Sequence, residues 1–328
     1  MDVCGIGSAL VDILVEATPD QVEACGLIKG SMQLMERDAA DKVHAAAPGG
    51  IEASGGSCAN TIAGLAVLGA DAAFIGRVAD DRYGQVFSDG LTQLGVTFAG
   101  NGRAPSPEWA TGRSLVLVTP DADRTMCTTL GVAPHLGIDH LDESLISSAA
   151  VTYLEGYLWD QPIAIDALRT AISTAHAAGR LVAMSLSDPF CVDRHRSAWV
   201  DLVASDLDLV FGNESELCSL TSTSSLSAAC SAVQRPGLTV TVTRGALGAW
   251  TFSGPSDIVE TPAAPVDRVV DTTGAGDLYA AGFLYGLTRG FDLSTCAQLG
   301  AVCAGEVISH VGARPLADLK ALVEPLIP

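Results

Sequence analysis

An α/β fold with a mostly parallel sheet covered on both faces is what this sequence predicts, and three observations predict it. From Val151 onward, short apolar runs alternate with helix-length segments, which is the pattern of strands joined by crossover helices. Helical stretches stop at Gly69, Gly95 and Gly179, where a left-handed turn ends a helix at low cost. The chain also opens on an apolar run, Val3 to Gly7, that reads as a buried strand. At 328 residues there is length for one large α/β domain, alone or with insertions.

The elements follow in order. Cys58–Leu68 is predicted as a helix, Ala72–Val78 as a strand and Gly84–Leu94 as a helix. Then come strand Val151–Glu155, helix Pro162–Ala178, strand Leu181–Ser185, helix Asp193–Val203 and strand Leu207–Phe211. Helix Asn213–Leu220, a further helix near Ser224–Val233 and strand Leu238–Thr243 continue the alternation. Gly248–Glu260 reads as a hairpin, and helices Ala275–Arg289 and Leu293–Ser309 close the domain. Two regions break the rhythm. The first, 11–47, reads as helix Thr18–Gly26, strand Ser31–Met35 and amphipathic helix Glu36–Ala47, before a strand Ile51–Ser54. The second, 96–130, holds β-like segments Arg113–Val118 and Arg124–Leu130 around the turn Thr119–Asp123. Read from the residues alone, these short strands form a decorative edge sheet.

Composition narrows the function classes. A formal charge of −20 with only three lysines argues against nucleic acid, which requires clustered Lys and Arg. Nine scattered cysteines without a C-x-x-C pair read as free thiols in a reducing compartment. No apolar run approaches the length of a membrane span and no basic leader opens the chain. A cytoplasmic, soluble protein, monomer or homodimer, is expected.

The stretch Asp271-Thr272-Thr273-Gly274-Ala275-Gly276-Asp277 carries the most chemistry. Gly274, Ala275 and Gly276 would leave backbone N–H groups bare at a helix N-terminus, a ready anion site. A carboxylate at Asp277 belongs there if it takes a proton from a hydroxyl as a phosphoryl group arrives. An N-capped helix after a glycine turn explains the same residues. Gly5-Ile6-Gly7 fails as a dinucleotide fingerprint because Leu10 takes the third glycine position, and no lysine precedes Ser or Thr as a Walker loop requires. No histidine shows metal-ligand spacing, and Asp193-Arg194-His195-Arg196 lacks the partners of a protein-kinase catalytic loop.

The 271–277 stretch, together with Gly55-Gly56-Ser57-Cys58-Ala59-Asn60, resembles the two signatures of the ribokinase-like (PfkB-type) kinases of sugars and nucleosides. The resemblance covers nearly the whole chain. It implies a three-layer α/β/α fold in which 1–10, 48–95 and 131–328 form the main domain and insertions 11–47 and 96–130 form a small β lid. It further implies transfer of the ATP γ-phosphoryl group to a primary hydroxyl, with Mg2+. Asp277 would be the base, the amides of Gly274, Ala275 and Gly276 the anion site, and Arg124 a clamp on the transferring group. Asp12, Gly55, Gly56 and Asn60 would hold the sugar. Asn213, Thr243, Gly245 and Gly248 would contact the nucleotide, with Glu216 organising Mg2+ through water. Asp271 is read as a structural or monovalent-cation residue, potassium being bound beside this loop in the family. Plain structural readings stand beside each of these, Asn213 and Glu216 forming a capping box and Arg124 an exposed turn residue.

The extra helix Glu36–Ala47 resembles adenosine kinases more than short-lidded ribokinases, so a nucleoside acceptor, adenosine first, is expected. Lid aromatics for stacking a base are few, Phe98 and Trp109. A kinase of a free sugar or sugar acid, or a non-catalytic metabolite binder on the same fold, is the alternative.

Overall fold

The computed structural model describes residues 1–100, 109–121 and 123–328, so Ala122 of the predicted Thr119–Asp123 turn lies outside the described residues. Among the described residues, fourteen strands form two sheets. Numbered in chain order, they are β1 (Val3–Ile6), β2 (Leu10–Glu16), β3 (Met32–Leu34), β4 (Ile51–Gly55), β5 (Ala72–Ile75), β6 (Thr97–Ala99) and β7 (Gly112–Val118). The rest are β8 (Arg124–Thr129), β9 (Val151–Glu155), β10 (Leu181–Ser185), β11 (Leu209–Asn213), β12 (Thr239–Thr243), β13 (Ala249–Ser253) and β14 (Val259–Thr261).

The larger sheet runs β14-β13-β12-β11-β10-β9-β1-β5-β6 and is parallel except at β13 and β14. Side chains alternate across it into two cores. Val3, Phe74, Tyr153 and Ala183 join a core with helices Ser57–Leu68, Ala275–Thr288 and Leu293–Val307. Cys4, Ile75, Leu154 and Met184 join a second with helices Pro162–Ala177 and Pro189–Ser205. Period-two alternation into two apolar layers is what a three-layer α/β/α sandwich requires. The strand order reverses beside β1, since β5 pairs on one side and β9 on the other. Such a switch point leaves a crevice at the carboxyl ends of the strands.

The smaller sheet runs β3-β8-β7-β2-β4. One of its faces, with Val11, Ile13, Val15, Leu115, Leu117 and Cys127, packs into the first core. The opposite face follows from the register. One cross-strand row is Ala53, Asp12, Ser114, Thr128 and Leu34, and the next is Ile51, Leu14, Val116, Met126 and Met32.

Three expectations need correction. Ile51–Gly55 was expected in the main domain but lies in the smaller sheet, antiparallel to β2. Thr97–Ala99, expected in the lid insertion, extends the larger sheet beside β5. Its Phe98 stacks with Phe74 and Phe87 at 6.1 and 5.4 Å, so it is a core aromatic with no place in the lid. The helix expected from Asp193 begins at Pro189, because Asp188 accepts the Cys191 N–H at 2.7 Å as N-cap and proline fits the first turn.

Candidate active site

The loop leading into helix Ala275–Thr288 sets the centre of the site. Gly274 has φ +79°, and a Cβ there would fall 2.8 Å from the Ala313 Cβ, so only glycine fits. No side chain caps the helix. The expected anion site is narrower than Gly274–Gly276, because the Ala275 N–H donates to Thr272 O at 3.2 Å. The Leu278 N–H is the first to reach an intrahelical acceptor, Gly274 O at 2.8 Å. The Gly276 and Asp277 amides, the two immediately before it, have no backbone acceptor among the described residues and are the ones left for an anion.

Asp277 is held from two sides. Ser57 Oγ donates to its Oδ1 at 2.6 Å and Asn60 Nδ2 to its Oδ2 at 2.9 Å. Both donors stand on the first turns of helix Ser57–Leu68, whose Thr61 Oγ1 also donates to the Asp277 carbonyl at 3.1 Å. Burial pushes the Asp277 carboxyl above the ordinary range, against the pull of Ser57, Asn60 and Arg314. A carboxylate that is desolvated yet oriented is a stronger proton acceptor than one in water.

Asp12 faces the same space from the smaller sheet. Burial raises it to about 6, opposed by Arg314 and Arg124 and assisted by the Asp277 charge. A Cβ on Gly55 would lie 2.3 Å from Asp12 Oδ2, so Gly55 makes room for that carboxylate. Gly56 has φ +95°, with a Cβ position 2.4 Å from Ser8 O. The tight Gly-Gly turn thus lies between Asp12, packed against Gly55, and Ser57 and Asn60, which hold Asp277. Asn60 Nδ2 contacts Asp277 directly, so its amide is committed to that carboxylate.

On the other side, a cavity of about 390 Å³ is lined by Gly274–Asp277, Ser57, Asn213, Glu216, Thr243 and Tyr157 among others. Asn213 caps its helix: Oδ1 accepts the Glu216 N–H at 2.9 Å, while Glu216 accepts from Asn213 N at 2.9 Å and Nδ2 at 2.6 Å. Capping and cavity lining therefore coexist. Glu216 is raised to about 7 by burial, and with both oxygens engaged its donor set fits a cation approached through water. Thr243 lines the cavity with its Oγ1 3.5 Å from Gly212 O. Gly245 (φ +57°) and Gly248 (φ +83°) shape the turn after β12. A Cβ on Gly248 would meet Thr261 O at 1.9 Å, a packing reason for glycine that is independent of any nucleotide.

Arg124 is not the exposed turn residue of the plain reading. It is 9 % exposed and its Nη2 lies 2.7 Å from Asp271 Oδ2, with Nη1 donating to Thr273 Oγ1 at 3.3 Å. It ties the smaller sheet to the 271–277 loop. Asp271 also accepts from Thr273 N at 3.0 Å and Gly312 N at 2.9 Å. These three contacts, with Arg124, Thr273 and Gly312, are what the structural reading of Asp271 requires.

Four contributors escaped the sequence reading. Ser57 lies inside the Gly-Gly signature and its neighbourhood was legible. Glu155 stands at the carboxyl end of β9 in the switch-point crevice, accepting from Cys58 N at 3.0 Å and Ser8 N at 3.3 Å, and burial raises it to about 7. Ser187 lines the cavity with φ +68°. Arg314 is engaged with Ser54 and Ala59, and no local pattern marks it. The structure also groups Asp160, Cys191 and His195, with ligand atoms within 4.8 Å of one another, although no histidine had shown metal-ligand spacing. Arg194 forks both Asp160 oxygens at 3.1 and 3.0 Å and His195 takes one at 2.6 Å, an ion-pair cluster pinning two segments. A larger cavity of about 790 Å³ near Tyr83, Trp109 and His135 shares no lining residue with the 390 Å³ cavity, but Leu34 and Thr128 of the Asp12 row line it. Its Arg82 and Arg113 are paired with Glu52 and Asp41.

A family model described as pfkB family carbohydrate kinase matches residues 21–319. A 5-dehydro-2-deoxygluconokinase of Shouchella clausii is 29% identical, over 82% of this chain and 86% of that protein. Among solved structures, an adenosine kinase from Sinorhizobium meliloti superposes with a TM-score of 0.91 at 42% identity, covering 99% of both chains. A probable sugar kinase protein from Rhizobium etli gives 0.91 at 38% identity over the same shares.

Proposed function

The chain belongs to the pfkB family of carbohydrate kinases and is a phosphotransferase acting on a sugar or nucleoside hydroxyl; from that premise we propose that its acceptor is the 5′ hydroxyl of a nucleoside, adenosine first, with ATP as donor. The observation that carries this is the open face of the smaller sheet. Beside Asp12 lies the apolar row Ile51, Leu14, Val116, Met126 and Met32, with Leu34 at the end of Asp12's own row. None of the six joins the two main cores: Val116 is buried between its neighbours, Leu14 and Met126 are half-buried, and Met32, Leu34 and Ile51 are exposed by 46, 58 and 75 %. A carboxylate that accepts a vicinal diol, flanked by aliphatic side chains, matches a ribose carrying an apolar base. The similarity to the Sinorhizobium meliloti adenosine kinase supports the same reading. A sugar acid would instead need a free cation facing it, and among the described residues the arginines of this sheet, Arg113 and Arg124, are paired with Asp41 and Asp271.

In this reading Asp12 accepts both ribose hydroxyls, and the aliphatic row holds the base. That leaves the 5′ hydroxyl toward Asp277, which takes its proton. The Gly276 and Asp277 amides stabilise charge developing on the transferring group. Glu216 would hold Mg2+ through water, and the metal supplies charge neutralisation of the donor phosphates. The smaller sheet serves as a lid, with Arg124 joining it to the catalytic loop and the closed cleft excluding water.

The curated relatives favour a second reading, a kinase of 5-dehydro-2-deoxygluconate type. A non-catalytic binder gains nothing from keeping the desolvated, raised Asp277 carboxyl in place. The test is ATP consumption by purified protein over a panel of nucleosides, free sugars and sugar acids. Adenosine or another nucleoside should give the highest kcat/KM. A free sugar or sugar acid ahead of every nucleoside overturns the acceptor assignment, and no consumption with any acceptor overturns the catalytic one.

A further inference from the structure

Arg314 lies beyond every motif discussed so far, yet the turn at the centre of the site is built around it. Its Nη1 donates to Ala59 O at 2.7 Å, its Nε and Nη2 to Ser54 O at 3.1 and 2.7 Å, and Nη2 also to Ser54 Oγ at 3.1 Å. These acceptors bracket Gly55-Gly56-Ser57-Cys58, the stretch that makes room for Asp12 at Gly55 and presents Ser57 to Asp277. One guanidinium therefore grips both ends of the turn on which the two acids rest. A planar fork can do this and an ammonium cannot.

We propose that Arg314 is the positioning residue of the phosphotransfer site: by gripping both ends of the Gly55–Gly56 turn it holds Asp12 and Asp277 in place and sets its buried guanidinium near them. The inference rests on the kinase reading above. Two carboxylates sharing one desolvated volume disfavour each other's ionisation unless a cation stands by. The groups that act on the pair are few. Arg124 opposes the rise of Asp12, while the Asp277 charge acts in turn on Glu155, Cys58, Tyr153 and Tyr157. Among the described residues Arg314 is the cation that acts on both acids, and burial brings its own guanidinium down to about 10.

The test is the pH profile of kcat/KM for wild type, Arg314→Gln and Arg314→Lys, with melting curves to verify folding. Removing the charge in Arg314→Gln should move the acid limb up by about one pH unit, the lower end of what an adjacent opposite charge is worth. Arg314→Lys should restore the acid limb and add a basic limb, because a buried lysine starts about two units below arginine and deprotonates within the assay range. This second variant decides the matter even if Arg314→Gln does not fold. A purely structural role predicts uniform loss at all pH values with both limbs where wild type has them, and that result overturns the proposal. A wild type without kinase activity would overturn the underlying reading instead, so the two failures are distinct.

Discussion

Asp277→Asn is the perturbation whose consequences the structure specifies most fully. Asparagine keeps the size of the side chain and both of its local contacts. Its Oδ1 can still accept from Asn60 Nδ2, now 2.9 Å away, and its amide can donate to the Ser57 hydroxyl at 2.6 Å once that hydroxyl rotates. The loss is confined to the basic oxygen. General-base catalysis contributes about 10²–10⁴ in rate, so kcat should fall by about that factor, or roughly 2.7–5.4 kcal/mol of transition-state stabilisation. Stability should move the other way. Burial raises the Asp277 carboxyl in the folded protein, so the folded state binds more protons than the unfolded one. That contribution to stability is present at low pH and is lost as pH rises through the raised value. A neutral asparagine carries no such loss, and the variant should melt no lower than wild type at pH 7.5. The assay is steady-state turnover at saturating ATP and acceptor, with calorimetry alongside. Turnover within a few-fold of wild type in a folded variant would refute Asp277 as the base.

Further outcomes follow from the same geometry. Asp12→Ala should raise the acceptor KM and leave the ATP KM near wild type, the two charge-assisted hydrogen bonds being worth roughly 1.5–3 kcal/mol each; equal weakening of both ligands would point to a folding defect. Glu216→Gln should raise the Mg2+ concentration needed for half-maximal rate. Because the Glu216 carboxyl sits at about 7, that requirement in wild type should fall as pH rises through 7, and the dependence should flatten in the variant. Asp12, Glu155 and Glu216 are raised to about 6, 7 and 7, so Tm should decline from pH 5.5 to 8 in calorimetric scans; a flat or rising curve contradicts that assignment.

The larger sheet was legible because parallel strands and their crossover helices occupy contiguous segments, each with its own stop signal such as Gly69 or Gly179. The smaller sheet was legible only in part. Ile51–Gly55 pairs with β2, some 40 residues upstream, and β6 is three residues long, so neither carries enough local pattern to declare its sheet. The 271–277 loop and the Gly-Gly turn announced themselves because backbone geometry there demands glycine, as the positive φ of Gly56 and Gly274 shows. The apolar rows beside Asp12 needed the register, which no single strand encodes. Arg314 was invisible for a related reason, since its acceptors Ser54 and Ala59 lie more than 250 residues away.

The central claim, that this site phosphorylates a nucleoside, is tested most directly by comparing kcat and KM for adenosine and for ribose at saturating ATP. The two share the reacting hydroxyl and the diol that Asp12 would hold. Only adenosine has a base to lie against Leu14, Val116, Met126, Met32 and Ile51, and binding energy from that remote group goes into lid closure and alignment of the hydroxyl. The account predicts a lower kcat as well as a higher KM for ribose. Ribose turning over as fast as adenosine, with an equal or lower KM, would contradict it.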